Sequence, residues 1–96
     1  MNPRILVVDD DSASVEATVE VLEREGYDTF SASGGREALR ILAEENIDVV
    51  ITDLKMPDLS GIDLLKYIHD NNPYTQVILL TGYGTVESAV EAMSTG

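Results

Sequence analysis

The fold is indicated by residues 5–11, which are Ile5-Leu6-Val7-Val8-Asp9-Asp10-Asp11. The first four residues form a continuous apolar run, mostly β-branched, which is typical of a strand covered on both faces in a parallel sheet. The three aspartates end that run. We therefore expect a buried strand with a strongly acidic carboxyl end.

Strand and helix patterns alternate four times along the chain. Apolar runs predict buried strands at 5–8, from Ile47 to an end at Thr52-Asp53, and at 77–81, and a more polar alternating run predicts an edge strand at 27–32. Helical spacing of apolar residues predicts four helices. They cover 12–25, a segment that follows Ser33-Gly34-Gly35 and ends near Asn46, a segment that follows the breaker-rich loop ending in Gly61 and stops at Asn71-Asn72-Pro73, and a segment after Thr85.

This alternation predicts an α/β fold with one doubly wound parallel sheet. Right-handed crossovers place helices on both faces of such a sheet. The strand order should be 2-1-3-4, because the second strand is the polar one and the first and third are the most apolar. The third helix should bury Ile62, Leu65 and Ile68.

Acids and a hydroxyl follow three of the predicted strands. Asp9, Asp10 and Asp11 follow the first strand, Asp53 the third and Thr81 the fourth. Ligands bind such sheets at the carboxyl ends of strands, where the strand order reverses. Clustered carboxylates repel one another, so a cation is expected, and oxygen donors without His or Cys favour Mg²⁺. A carboxylate beside Mg²⁺ can act as a phosphoryl-accepting nucleophile. Taken singly, each aspartate could instead cap a helix or end a strand.

Composition excludes several classes of function. The 96 residues fit one domain, and 18 acidic against 6 basic residues give a net charge of −12. Direct nucleic-acid binding is therefore not expected, since it needs clustered Lys and Arg. Cysteine is absent, which excludes disulfides and thiolate metal sites. No apolar run suits a signal peptide or a membrane span, so we expect a cytoplasmic protein.

Three motifs resemble the receiver domain of bacterial two-component response regulators. They are Ile5-Leu6-Val7-Val8-Asp9-Asp10, Asp53-Leu54-Lys55-Met56-Pro57-Asp58-Leu59-Ser60-Gly61 and Leu80-Thr81-Gly82. The resemblance implies a flavodoxin-like fold and a phosphoacceptor at Asp53. It also implies that Asp10 and Asp53 bind Mg²⁺ directly, that Asp9 binds it through water, and that the backbone carbonyl of Lys55 is a further ligand. Thr81 would be the hydroxyl that responds to phosphorylation.

The resemblance also implies partners and a role in the cell. Residues 81–93 are similar to receivers of sigma-54-dependent activators of the nitrogen-regulation type. A sensor histidine kinase would donate the phosphoryl group, and an output domain in a longer parent protein would regulate transcription. Such a domain is a signalling switch rather than a metabolic enzyme, with at most self-phosphorylation from small donors and self-dephosphorylation.

The family pattern continues beyond the part that matches here. Receivers have a fifth strand, followed by a lysine that contacts the phosphoryl group, and a fifth helix. We therefore expect residues 1–96 to be a C-terminally truncated receiver in which phosphorylation of Asp53 is slower or less consequential than in a complete receiver. We also expect self-association through the fourth strand or through the exposed face of the first helix, or else only marginal stability.

Two other functions stay open from the sequence. Asp9-x-Asp11 formally allows an Mg²⁺-dependent phosphohydrolase of the haloacid-dehalogenase type, whose nucleophile ends the first strand. A phosphorylation-independent dimerisation module is the other alternative. The residue that carries the phosphoryl group, Asp9 or Asp53, would separate the enzyme from the switch.

Overall fold

The computed structural model describes residues 2–80. The strands are β1 (Arg4–Val8), β2 (Asp28–Ala32), β3 (Val49–Asp53) and β4 (Gln76–Leu80), and the helices are α1 (Ser12–Arg24), α2 (Gly35–Glu44) and α3 (Gly61–Asn71). Thr81 and the predicted fourth helix lie outside the described residues. Within the described part, no helix has both the length and the apolar character needed to span a bilayer.

The four strands form one parallel sheet in the order β2-β1-β3-β4. This confirms the predicted order and the predicted edge position of β2. The continuous apolar run also lies where expected, since Ile5, Leu6, Val7 and Val8 are all buried. The cause is that β1 pairs on both edges and is covered on both faces.

The two faces of β1 contact different helices. Leu6 and Val8 belong to a core cluster with Ala38 and Leu42 of α2 and Leu64 of α3. Because side chains alternate along a strand, Ile5 and Val7 face the other way. On that side α1 covers the sheet with a half-buried stripe that includes Val15, Val19 and Leu22, and no α1 residue is fully buried in the described part of the chain.

The buried face of α3 differs from the expected one. Leu64 and Ile68 are fully buried, whereas Ile62 and Leu65 are only partly buried, so the prediction for these two was wrong. Both stripes have helical spacing, and the sequence alone does not choose between them. The choice is made by Gly61, which packs so closely on the backbone of β3 that Leu64, one turn later, points into the core.

Helix α1 begins and ends as its sequence suggests. The carboxylate of Asp11 caps its start by accepting the Ala13 N–H at 3.2 Å and the Ser14 hydroxyl at 2.9 Å. After its end, Gly26 has φ +88°, a left-handed conformation that favours glycine. Asp11 is thus a helix cap, and its side chain is committed to α1.

Candidate functional site

The register of the central strands brings three aspartates together. Val8 of β1 pairs with Thr52 of β3, so Asp9 and Asp53 occupy equivalent positions at neighbouring strand ends. Asp9, Asp10 and Asp53 each offer one carboxylate oxygen, and these oxygens lie within 4.8 Å of one another. Asp9 and Asp53 are half-buried and Asp10 is exposed. Three of the five predicted site residues therefore converge at one rim of the sheet.

The electrostatics of this rim are unfavourable without a cation. Burial raises the pKa of the Asp9 carboxyl, and the negative charges of Asp53 and Asp10 raise it further. The Asp11 backbone N–H, which donates to Asp9 Oδ1 at 3.0 Å, offsets part of this rise. All six Lys and Arg residues lie within residues 2–80, yet the ion pairs in that range involve only Glu20, Glu37, Glu44 and Glu45.

The donor set suits a hard divalent cation. Three carboxylates with no nearby His or Cys favour Mg²⁺ or Ca²⁺ over zinc. Mg²⁺ usually binds through a few carboxylates and keeps several waters, and an exposed rim such as this one leaves room for them. The residues present therefore fit the Mg²⁺ that the resemblance implies.

The other two predicted site residues are Lys55 and Thr81. Lys55 follows Asp53 by two positions, in the connection between β3 and α3, and its side chain is exposed. A metal ligand at Lys55 would have to be its backbone carbonyl, as predicted. Thr81 lies outside the described residues, so its role stays a prediction.

The backbone of Asp53 is fixed by residues that sequence reasoning did not single out. The hydroxyl of Thr52, which is fully buried, donates to the Asp53 carbonyl at 3.0 Å. A Cβ on Gly61 would lie 2.5 Å from the same carbonyl oxygen. The Gly61 N–H donates to the Leu54 carbonyl at 2.9 Å and closes the loop. Gly61 was predicted only as a chain breaker, since no sequence pattern signals this close approach.

Comparison with known proteins identifies the family. The response regulator receiver domain profile matches residues 5–96. The chain belongs to this family. Receiver domains are signalling modules of two-component phosphorelays.

Several relatives of this receiver domain are transcriptional regulators. It is 39% identical to the response regulator PilR of Pseudomonas aeruginosa over 93 residues, 97% of this chain and 21% of that protein. It is 41% identical to the transcriptional regulatory protein ZraR of Escherichia coli over 95 residues, 99% of this chain and 22% of that protein. The receiver domain thus spans about a fifth of these regulators.

Other relatives are close to this receiver domain in length or in structure. The sporulation initiation phosphotransferase F of Bacillus subtilis is 38% identical over 96 residues, 100% of this chain and 77% of that protein. A receiver domain protein from Clostridium thermocellum superimposes with a TM-score of 0.90 at 45% identity, covering 98% of this chain and 76% of that one. These similarities confirm the predicted flavodoxin-like fold.

Proposed function

We propose that Asp53 accepts a phosphoryl group from a sensor histidine kinase at an Mg²⁺ site. Asp10 and Asp53 would hold the ion directly, Asp9 through water, and Lys55 through its backbone carbonyl. The observation that carries the proposal is the convergence of three carboxylate oxygens within 4.8 Å at the ends of adjacent strands. An acidic Mg²⁺ pocket is a property of receiver domains, and this rim has its composition.

The residues around Asp53 favour it as the nucleophile. One carboxylate oxygen of Asp53 attacks phosphorus, an acyl phosphate bond forms, and the bond from phosphorus to the donor nitrogen breaks with its electron pair remaining on the donor. Bound Mg²⁺ would offset negative charge on the phosphoryl oxygens. Asp9 is less available because its Oδ1 already accepts the Asp11 N–H. Asp53 has a fixed backbone, which keeps the attacking oxygen in position.

The consequence of phosphorylation is proposed to be a change of partner contacts. Thr81 would respond to the phosphoryl group, and residues 81–95 would alter their contacts with an output domain that regulates transcription. The relative ZraR, which is named a transcriptional regulatory protein, supports this role. We place the protein in the cytoplasm, where a sensor kinase would reach it.

Phosphoryl labelling tests the proposal. Wild type, Asp53→Asn, Asp9→Asn and Asp70→Asn would be incubated with Mg²⁺ and radiolabelled acetyl phosphate, and the labelled residue located by peptide mapping. Asp70 is exposed near the end of α3 and serves as the matched control. We expect Asp53→Asn to lose the label and Asp70→Asn to keep it. Label on Asp9 would support the phosphohydrolase instead, and no label on any residue would refute both.

Self-association is a separate proposal. Ile78 and Leu80 of β4 are 49% and 47% exposed, and α1 contributes no fully buried residue within the described range. Both surfaces could pair with a second copy of the chain. Sedimentation at micromolar concentration should show dimers or larger species, and a stable monomer would refute this prediction.

A further inference from the structure

Helix α2 receives its N-terminal cap from a distant loop. Its N-cap residue, Gly34, has no side chain to accept the free N–H groups of the first turn. The carboxylate of Asp58 accepts them instead, from Gly35 N–H to Oδ1 at 3.1 Å and from Arg36 N–H to Oδ2 at 3.1 Å. These two hydrogen bonds hold the pKa of Asp58 below its usual range. Asp58 thus joins the connection between β3 and α3 to the start of α2.

Gly34 and Gly35 provide the space that the Asp58 contact needs, because a side chain at either position would crowd the loop. A Cβ on Gly34 would lie 3.0 Å from Asp58 Oδ1, and a Cβ on Gly35 would overlap the Cβ of Leu59. Leu59 itself packs against the core cluster. The two glycines therefore let the loop sit directly on the backbone of α2, and the carboxylate of Asp58 lies where both N–H groups point.

The same loop carries part of the proposed metal site. The loop follows Asp53 of β3 and ends at Gly61, the first residue of α3. The Gly61 N–H donates to the Leu54 carbonyl at 2.9 Å, and this contact, called the neck here, joins the two ends of the loop. Lys55 lies between this neck and Asp58. The position of its carbonyl therefore depends on how the loop is attached: by the contact between Gly61 and Leu54, by Met56 and Leu59, which pack against the core cluster, and by the Asp58 contact with α2.

We propose that Asp58 is a positioning residue for the Mg²⁺ site, acting by holding loop 54–60 against α2. This inference rests on the proposed function and extends it to a residue that touches neither metal nor phosphoryl group. Loss of the Asp58 carboxylate removes the hydrogen bonds between the loop and α2 and leaves the apolar packing of Met56 and Leu59 to hold it. Mg²⁺ binding must then order the loop further as well as fill its site. Mg²⁺ affinity falls while the three aspartates stay in place.

The test compares Mg²⁺ affinity in matched variants of the chain. Mg²⁺ would be titrated into wild type, Asp58→Ala, Asp58→Asn and Asp63→Asn, with Kd read from the amide resonances of Asp9, Asp10 and Asp53. Asp63→Asn removes the same charge from the first turn of α3, where its exposed side chain makes no hydrogen bond or ion pair with residues 2–80. It therefore controls for the general effect of charge on Mg²⁺.

We expect Kd to rise about fivefold in Asp58→Ala and by less than about twofold in Asp63→Asn. Asp58→Asn keeps one acceptor oxygen and should lie between them. Hydrogen exchange at the Gly35 and Arg36 amides should quicken in Asp58→Ala, which reports loss of the contact itself. If Asp58→Ala proves too unstable to titrate, the comparison of Asp58→Asn with Asp63→Asn decides.

Two outcomes would overturn the inference, and they differ in what else they refute. If wild type binds Mg²⁺ and both Asp58 variants bind it as tightly as Asp63→Asn, Asp58 has no positioning role and the proposed function stands. If wild type shows no Mg²⁺ binding at all, the proposed function fails together with the inference.

Discussion

The acidic residues clustered at the two ends of the sheet differ in whether they have a Lys or Arg partner. At the amino end, the Arg4 guanidinium pairs with Glu45 at 2.7 Å and lies 4.9 Å from the centre of the Phe30 ring. The Arg4 backbone N–H also donates to the Asp48 carboxylate at 2.8 Å. At the carboxyl end, Asp9, Asp10 and Asp53 have no Lys or Arg partner in the described part of the chain.

This difference separates charges that stabilise the fold from charges that are available for binding. The acids at the amino end have partners and contribute to stability without any ligand. Those at the carboxyl end repel one another and need a cation, which lowers the stability of the metal-free protein. A rim that costs stability in this way is where function is expected.

Gly61→Ala should have the largest effect on stability and on Mg²⁺ binding at the carboxyl end of the sheet. The new Cβ would lie 2.5 Å from the Asp53 carbonyl oxygen, which is backbone and moves only with the strand. We expect the free energy of unfolding in urea to fall by about 3 kcal/mol and Mg²⁺ binding to be lost. Gly26→Ala is the control, because its added Cβ meets no atom within 4 Å. That variant should cost about 1 kcal/mol through its positive φ alone and keep Mg²⁺ binding.

At the amino end, Arg4→Met should remove an ion pair and a ring contact. The two side chains of the pair are 33% and 40% exposed, so solvent weakens the interaction and we expect a loss of about 1 kcal/mol in urea denaturation. Arg24→Met breaks the more exposed pair with Glu20 and should cost less than half as much. Equal losses in the two variants would show that the amino end gains no particular stability from Arg4.

At the carboxyl end, neutralising an acid should raise the stability of the metal-free protein rather than lower it. Asp9→Asn keeps an acceptor oxygen for the Asp11 N–H and removes one of three repelling charges. In metal-free buffer, we expect the free energy of unfolding to rise by about 0.5–1 kcal/mol. Added Mg²⁺ should stabilise wild type more than this variant, while Asp48→Asn at the amino end should be destabilising. A metal-free Asp9→Asn less stable than wild type would contradict the comparison.

The smallest expected effect concerns the pH dependence of stability, in which Glu37 and Asp9 at the carboxyl end of the sheet differ. The Ser33 hydroxyl at 2.8 Å and the Ser33 N–H at 3.2 Å lower the pKa of the Glu37 carboxyl. Ionised Glu37 therefore contributes to the free energy of unfolding at pH values above its ordinary pKa of 4.5. This stabilisation is lost as pH falls through the lower pKa of the folded protein. We expect it to be below about 1 kcal/mol because the side chain is 40% exposed.

Urea denaturation of wild type and Glu37→Gln over this acid range measures the contribution of Glu37. The difference between their free energies of unfolding should shrink as the pH is lowered. Asp9 differs in sign, because its raised pKa gives a contribution that is lost as pH rises. A gap that widens in acid would contradict the assignment for Glu37.

The sequence predicted most of what depends on local pattern. The apolar run of β1 indicated a strand buried on both faces, and the polar character of residues 27–32 indicated the edge position of β2. The predicted start of one strand was wrong, since β3 begins at Val49 rather than at Ile47, while it ends at Asp53 as predicted. Ile47 is buried in the preceding turn and outside the ladder, where its carbonyl accepts the Thr75 hydroxyl at 2.7 Å.

The candidate site was predictable in part for the same reason. Aspartates that end neighbouring parallel strands must meet at one edge of the sheet, so the sequence alone groups Asp9, Asp10 and Asp53. The Asp58 contact could not, because its donors are backbone N–H groups 22 and 23 residues earlier and any residue except proline offers such a donor.

By itself, the sequence determined the order of strands and helices, the parallel sheet, and the acids that end β1 and β3. These follow from hydrophobic period and from positions next to strand ends, which are properties of short segments. Only the tertiary structure decided that Leu64 rather than Leu65 enters the core, that Gly61 packs on the Asp53 carbonyl, and that Asp58 caps α2. Those outcomes depend on how closely two distant backbones approach, and close packing fixes that distance for the whole domain at once.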